Sequence, residues 1–102
     1  MDQLNLDKTF QKYTQIAKIL PQKPCDEDLL FLYAHYKQAT LGNCNIPQPN
    51  SWLDIKGKRK WECWNALNGM SRDDAKKKYI EKVIHFQSCL YSHHPQKKGG
   101  TG

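Results

Sequence analysis

Between Leu29 and Thr40 the chain reads LLFLYAHYKQAT, and no other stretch restricts the possible folds so strongly. On a helix, Leu29, Leu30, Leu32, Tyr33, Tyr36, Ala39 and Thr40 spread over a face wider than the apolar stripe of an ordinary surface helix. Such a helix has to meet a core on one side and something else on another. Tyr33, Tyr36 and Lys37 stand at i, i+3 and i+4, so their side chains share one face. Two phenols beside an ammonium offer stacking, hydrogen bonding and charge together, which suits a flat aromatic ring bearing phosphate. Taken alone, the trio also reads as two core tyrosines and a surface lysine.

The flanking segments predict three more helices. Leu6, Phe10, Tyr13, Ala17 and Leu20 recur at steps of three and four, with Asp7 as a plausible cap. Pro21 and Pro24 end that helix, because proline cannot continue the hydrogen-bond ladder. Asp26 is the expected N-cap of the second helix and Gly42 its terminator. From Asn43 to Asp54 the sequence NCNIPQPNSWLD has no periodicity. It reads as an ordered loop that Ile46, Trp52 and Leu53 can anchor. The third helix is expected over Gly57 to Leu67, with Trp61, Trp64 and Leu67 turned to the core and Asn68-Gly69 closing it. Ser71 resembles the N-cap of a capping box with Asp74 three residues on. Ala75, Tyr79, Val83 and Phe86, flanked by Ile80 and Ile84, then form the fourth stripe, and Lys76, Lys77, Lys78 and Lys82 are expected on its outer sides. From about Ser92 onward the apolar pattern ends. No strand signal and no internal repeat are present, so four helices in one domain over residues 1–91, with a flexible tail over 92–102, is the predicted organisation.

Within 102 residues the net charge is +6, which points to an anionic partner: nucleic acid, acidic lipid or a phosphorylated small molecule. Cys25, Cys44, Cys63 and Cys89 are widely spaced without a CxxC, and MDQLNLDK lacks the features of a secretion signal. Reduced thiols and a cytoplasmic location are therefore expected. The histidines show no zinc-site spacing, and no metal is expected. Lys56, Lys58, Arg59 and Lys60 crowd five residues. They read as a solvated helix start, as a nucleic-acid or import patch, or as a phosphate clamp at a helix N-terminus. The nucleic-acid reading is weakened because no helix-turn-helix, zinc module or RNA-recognition motif accompanies them. Catalysis finds little footing: no nucleophile motif or Gly-rich phosphate loop occurs, and nothing marks Cys44 or Cys63 as reactive.

LYAHYKQAT followed by LGNCNIPQP, then LDIKGKRKWECWNALNGMS and DDAKKKYIEKV, closely resemble the acyl-CoA-binding protein family, the diazepam-binding inhibitors or endozepines. The resemblance is collinear from about Phe10 to Phe86. It implies an all-α, up-down-down-up four-helix bundle that is not an enzyme and needs no cofactor. It further implies a monomer that binds medium- to long-chain acyl-CoA thioesters as an intracellular carrier and pool-former. Residue by residue, it implies that Tyr33, Tyr36 and Lys37 meet the adenine and the 3′-phosphate, and that Lys60 is the second phosphate-binding lysine. Lys18 lies near the ligand, Tyr79 lines the site, and Leu29 and Leu30 face the acyl chain and pantetheine. Acyl-CoA-using enzymes and transient membrane contact are further partners such a carrier would meet; nucleic acid is not. Tyr13-Thr14 departs from the small alanines common at that place, which implies a narrower groove beside the first helix. A different class of reading is an interaction module: a source of signalling peptides, or a domain of a larger acyl-CoA-handling protein.

Overall fold

The computed structural model describes residues 2–50 and 53–92. Among the described residues there are four helices: α1 (Gln3–Lys18), α2 (Asp26–Leu41), α3 (Ile55–Asn65) and α4 (Arg72–Ser92). The all-α expectation holds, and the bundle has the up-down-down-up arrangement. The expected tail after Ser92 and the anchoring role of Trp52 lie outside the described residues.

The starts of α1, α2 and α3 depart from expectation. Asp2, not Asp7, caps α1, accepting a 2.9 Å hydrogen bond from the Asn5 amide. Asp7 instead reaches α4, where its carboxylate lies 2.6 Å from the Lys76 ammonium. That contact, with a hydrogen bond from Gln3, holds the Asp7 carboxyl below its usual pKa. Lys76 is thereby drawn inward rather than standing on the outer side of α4. Cys25 occupies the N-cap of α2 and makes no side-chain capping bond there, so Asp26 is the first helical residue. Asp26, Glu27 and Asp28 still place negative charge where the macrodipole favours it. Asp54 caps α3 through a 2.9 Å bond from the Gly57 amide, which starts that helix at Ile55 and ends it at Asn65. Ser71 caps α4 as expected, accepting from the Asp74 amide at 3.0 Å.

The core is built on α4. Ala75, Tyr79, Ile80 and Val83 pack against Leu6 and Phe10 of α1 and against Leu32 and Ala39 of α2. Ile84, the other expected flank, is exposed. Each of α1 and α2 packs on α4, and α3 packs on α2 alone among the described residues. Consequently α1 and α2 diverge across α4 and leave a trough between them.

A polar knot fixes α3 relative to α2. The amide nitrogen of fully buried Gln38 donates to Asn43 Oδ1 at 2.9 Å and to the Met70 carbonyl at 2.8 Å. The same Asn43 oxygen accepts the Gly69 amide at 2.8 Å, and Asn68 Oδ1 accepts the Cys44 amide at 2.9 Å. Trp64 is buried, and its indole N–H donates to the Gly42 carbonyl at 2.9 Å. Gly42 has a φ of +84°, a left-handed backbone conformation that favours glycine. Trp61 is only half-buried; its N–H donates to the Ile46 carbonyl at 2.8 Å. Asn43, Cys44 and Ile46 are thus held by backbone and amide bonds, whereas the Ile46 and Leu53 side chains, expected as anchors, are exposed.

His35 lies in the interior, stacked on Phe31 with ring centroids 4.0 Å apart and Nδ1 2.8 Å from the Phe31 carbonyl. Burial lowers its pKa, the Phe31 bond opposes that shift, and Lys78 and Lys82 of α4 reinforce it. Nearby, desolvation raises the Asp28 carboxyl, but hydrogen bonds from Lys82 and Cys25 outweigh it and hold it below the usual range. With the folded pKa of His35 below the ordinary value of about 6.5, the unfolded chain takes the proton first as pH falls. The contribution of neutral His35 is therefore complete above about pH 6.5 and is lost on the acid side of it. Urea midpoints measured from about pH 7.5 down to pH 5 should fall in the native chain and fall less steeply in His35→Gln. An identical pH slope in both would exclude His35 as the source.

Candidate ligand-binding site

The trough between α1 and α2 forms an open cleft of about 390 Å³. Gln11, Thr14 and Lys18 of α1 face Leu29, Tyr33 and Tyr36 of α2 across it, while Phe10 and Tyr79 contribute to the lining. Thr14 is buried, and its hydroxyl donates to the Gln11 carbonyl at 2.7 Å, so a polar group on this wall is internally satisfied. Three rings form one aromatic cluster. Phe10 lies 6.0 Å from Tyr36 at an interplanar angle of 26°, and 5.3 Å from Tyr79 at 72°. Tyr79 is buried, whereas Tyr36 is 42% exposed and so keeps ring surface available to a ligand. A stacked base on such a ring gains roughly 1–3 kcal/mol.

Two cations converge beside this cluster. The Lys37 ammonium of α2 is 5.8 Å from the Tyr33 ring centroid and 5.6 Å from that of Trp64. From α3 the Lys60 ammonium comes to 5.2 Å from the same Tyr33 ring. Among the described residues neither lysine is ion-paired with a carboxylate. Ring faces attract cations by about 0.5–1 kcal/mol each at exposed sites, but they do not neutralise charge. Two like charges assembled by separate helices around one phenol are the arrangement an anionic group completes. The Tyr33 phenol is pushed above its ordinary pKa by burial and then by Cys44, and the Tyr79 phenol by burial and then by Tyr36. Both hydroxyls remain protonated at neutral pH and can donate hydrogen bonds.

A second cavity, of about 230 Å³, lies between the start of α2 and α3. Leu29, Leu30 and Tyr33 give it an apolar side, and Lys23, Lys56, Arg59 and Lys60 give it a basic one. Leu29 and Tyr33 line both cavities and form the ridge between them.

The site residues anticipated from sequence fall on this composite surface. Lys18, Leu29, Tyr33, Tyr36 and Tyr79 line the first cavity, and Leu29, Leu30, Tyr33 and Lys60 the second. Lys37 lines neither cavity and meets the site through the Tyr33 and Trp64 rings. Of the pair Tyr13-Thr14, Thr14 lines the cleft, while Tyr13 packs at the edge of the core. Sequence reasoning missed Gln11 and Gln15 on the cleft wall, since exposed glutamines on a helix carry no signal of their own. It also missed the placing of Lys56 and Arg59 on the second cavity. The density of the KGKRK segment pointed to an anion without saying which of its side chains would face one.

A family model for "Acyl CoA binding protein" matches residues 7–83. Among curated proteins, the chain is 41% identical over 95 residues to Acyl-CoA-binding domain-containing protein 6 of Bos taurus, covering 93% of this chain and 33% of that protein. It is 42% identical over 94 residues to the Homo sapiens protein of the same name, covering 92% and 33%. The chain thus spans about a third of the length of these relatives. Among solved structures, Acyl-CoA-Binding Protein 2 of Oryza sativa superposes with a TM-score of 0.81 at 34% identity, covering 86% of this chain and 95% of that one. The structure named ACBP from Moniliophthora perniciosa gives 0.78 at 33%, covering 89% of each. With the match running through all four helices and the same bundle recurring in those structures, the chain belongs to the acyl-CoA-binding protein family.

Proposed function

We propose that the chain binds acyl-CoA thioesters non-enzymatically and acts as a monomeric carrier and pool-former for medium- to long-chain forms. The observation that carries this reading is the convergence of Lys37 and Lys60 on Tyr33, at the ridge between an aromatic-walled cleft and a cavity bearing Leu29 and Leu30. In this reading the adenine ring lies in the first cleft against Tyr36, and the two lysines bind the 3′-phosphate. Lys18 assists from the opposite wall, and the Tyr79 phenol lines the cleft floor. Pantetheine crosses the ridge, and the acyl chain starts over Leu29 and Leu30.

The energetics divide between the two ends. Charge-assisted bonds at the head are short, strong and sensitive to salt. The tail gains about 0.8 kcal/mol per buried methylene, a sum on the order of 10 kcal/mol for a long chain before the costs of association. The head selects the class of ligand, and the tail sets the length that binds tightly. Gently purified protein should retain a bound acyl-CoA in a native mass spectrum, with the mass increment reporting the chain length. Protein that stays ligand-free after incubation with palmitoyl-CoA would overturn the reading.

The greater length of the curated relatives supports a second reading, in which the same unit serves inside a longer acyl-CoA-handling protein. The mass of the protein isolated from its own source separates the two.

A further inference from the structure

Three cations on the second cavity have no part in the Lys37–Lys60 phosphate site. Lys56 and Arg59 line it from α3 and Lys23 from the segment before α2, opposite an apolar side of Leu29 and Leu30. Asp26 is the one acid among the described residues of its wall. Among the described residues none of the three cations is ion-paired with a carboxylate, and Asp26 is not ion-paired either. Lys56 stands three residues before Arg59 and four before Lys60, so like charges share one face of α3, which disfavours the helix. With α3 beginning at Ile55, Lys56 also lies in the first turn, where the macrodipole opposes a cation. A cavity that serves only a methyl-ended chain gains nothing from this charge. A bound anion would remove its cost.

We infer that the second cavity favours acyl-CoA thioesters whose acyl chain ends in a carboxylate, the α,ω-dicarboxylic class. Leu29 and Leu30 cover the methylenes, and Arg59 meets the terminal carboxylate. The inference rests on the reading of this cavity as the tail site, and adds a charge contact at the chain end to the one at the phosphate. Arginine suits the place, because its planar fork can hold a carboxylate through two parallel hydrogen bonds. Its alkyl stem can lie along apolar surface while the charge stays at the rim. Lys23 and Lys56 outweigh the opposing charge of Asp26, so the wall stays positive toward a carboxylate. In a purely apolar tail site the same carboxylate would be penalised, since burying an unpaired charge costs far more than a methyl group gains.

The test is calorimetry of the full chain with CoA and with three matched pairs of thioesters: octanoyl- and octanedioyl-CoA, dodecanoyl- and dodecanedioyl-CoA, palmitoyl- and hexadecanedioyl-CoA. In at least one pair the dicarboxylic thioester should bind at least as tightly as its partner, and that preference should shrink at higher salt. Arg59→Leu should lower the ratio of dicarboxylic to monocarboxylic affinity about fivefold or more, and Arg59→Lys should lower it less. Arg59 is exposed, so both variants should keep the native circular dichroism. Weaker binding of the dicarboxylic thioester in all three pairs would overturn the inference, as would a ratio that Arg59→Leu leaves unchanged. Equal losses for CoA and for both members of each pair in Arg59→Leu would assign Arg59 to the CoA phosphates and overturn it too. Failure of the native chain to bind palmitoyl-CoA would bring down the carrier reading and this inference together, whereas the other outcomes leave the carrier reading standing.

Discussion

Trp64→Ala should cost about 3–5 kcal/mol of folding stability, the largest single loss expected from this chain. Trp64 is 2% exposed and closes the α2–α3 interface, so truncation leaves a cavity that neighbouring helices cannot fill without moving. The substitution also removes the N–H that satisfies the Gly42 carbonyl. Small domains have about 5–15 kcal/mol in total, so thermal unfolding should begin well below that of the native chain. For a domain of this size the drop in midpoint is on the order of 15 °C or more. Loosening α3 also moves Lys60 away from Tyr33, so ligand affinity should fall with stability. Trp61→Ala supplies the control: its ring is half-buried and its one hydrogen bond goes to a loop carbonyl, so it should cost less than half as much. Denaturant midpoints of the two variants decide this, and equal losses would contradict the assignment of Trp64 as the keystone.

Lys37→Ala and Lys60→Ala should each weaken acyl-CoA binding about ten- to a hundredfold while leaving helicity unchanged. A hydrogen bond to a charged group is worth about 1.5–3 kcal/mol, and each lysine contributes at least one in the proposed complex. Because both ammonium groups stand within 6 Å of one ring centroid, they are expected to share a phosphate. The double variant should then lose less than the sum of the single losses, since neighbouring groups on one partner couple. The salt dependence of affinity should flatten in parallel. If both single variants bind as the native chain does, the phosphate is elsewhere.

The four helices were legible because their apolar stripes are regular and because Pro21, Pro24, Gly42 and Gly69 interrupt them. What the stripes could not show was which acidic residue caps which helix. Asp2 and Asp7 are equally good caps by residue type, and only the approach of Lys76 from α4 takes Asp7 away. Likewise Asp54 starts α3 at Ile55, although Gly57 looks like the natural beginning. In the site, the Tyr33, Tyr36 and Lys37 face was visible from helical spacing alone. Its meeting with Lys60 was not, because the polar knot of Gln38, Asn43 and Asn68 sets that distance through amides scattered over thirty-one positions, from 38 to 68. The first cleft is a consequence of how far α1 stands from α2, a spacing set by the packing of both helices on α4 and written in no single segment.

Acyl-CoA binding as a union of head and tail is tested most directly by calorimetry of the native chain with palmitoyl-CoA, CoA and palmitate under one set of conditions. If the Lys37–Tyr33–Lys60 ridge joins a nucleotide cleft to an apolar cavity, palmitoyl-CoA binds far more tightly than either fragment, and CoA alone keeps the salt dependence. Equal affinity for all three, or palmitate binding as tightly as the thioester, would contradict it.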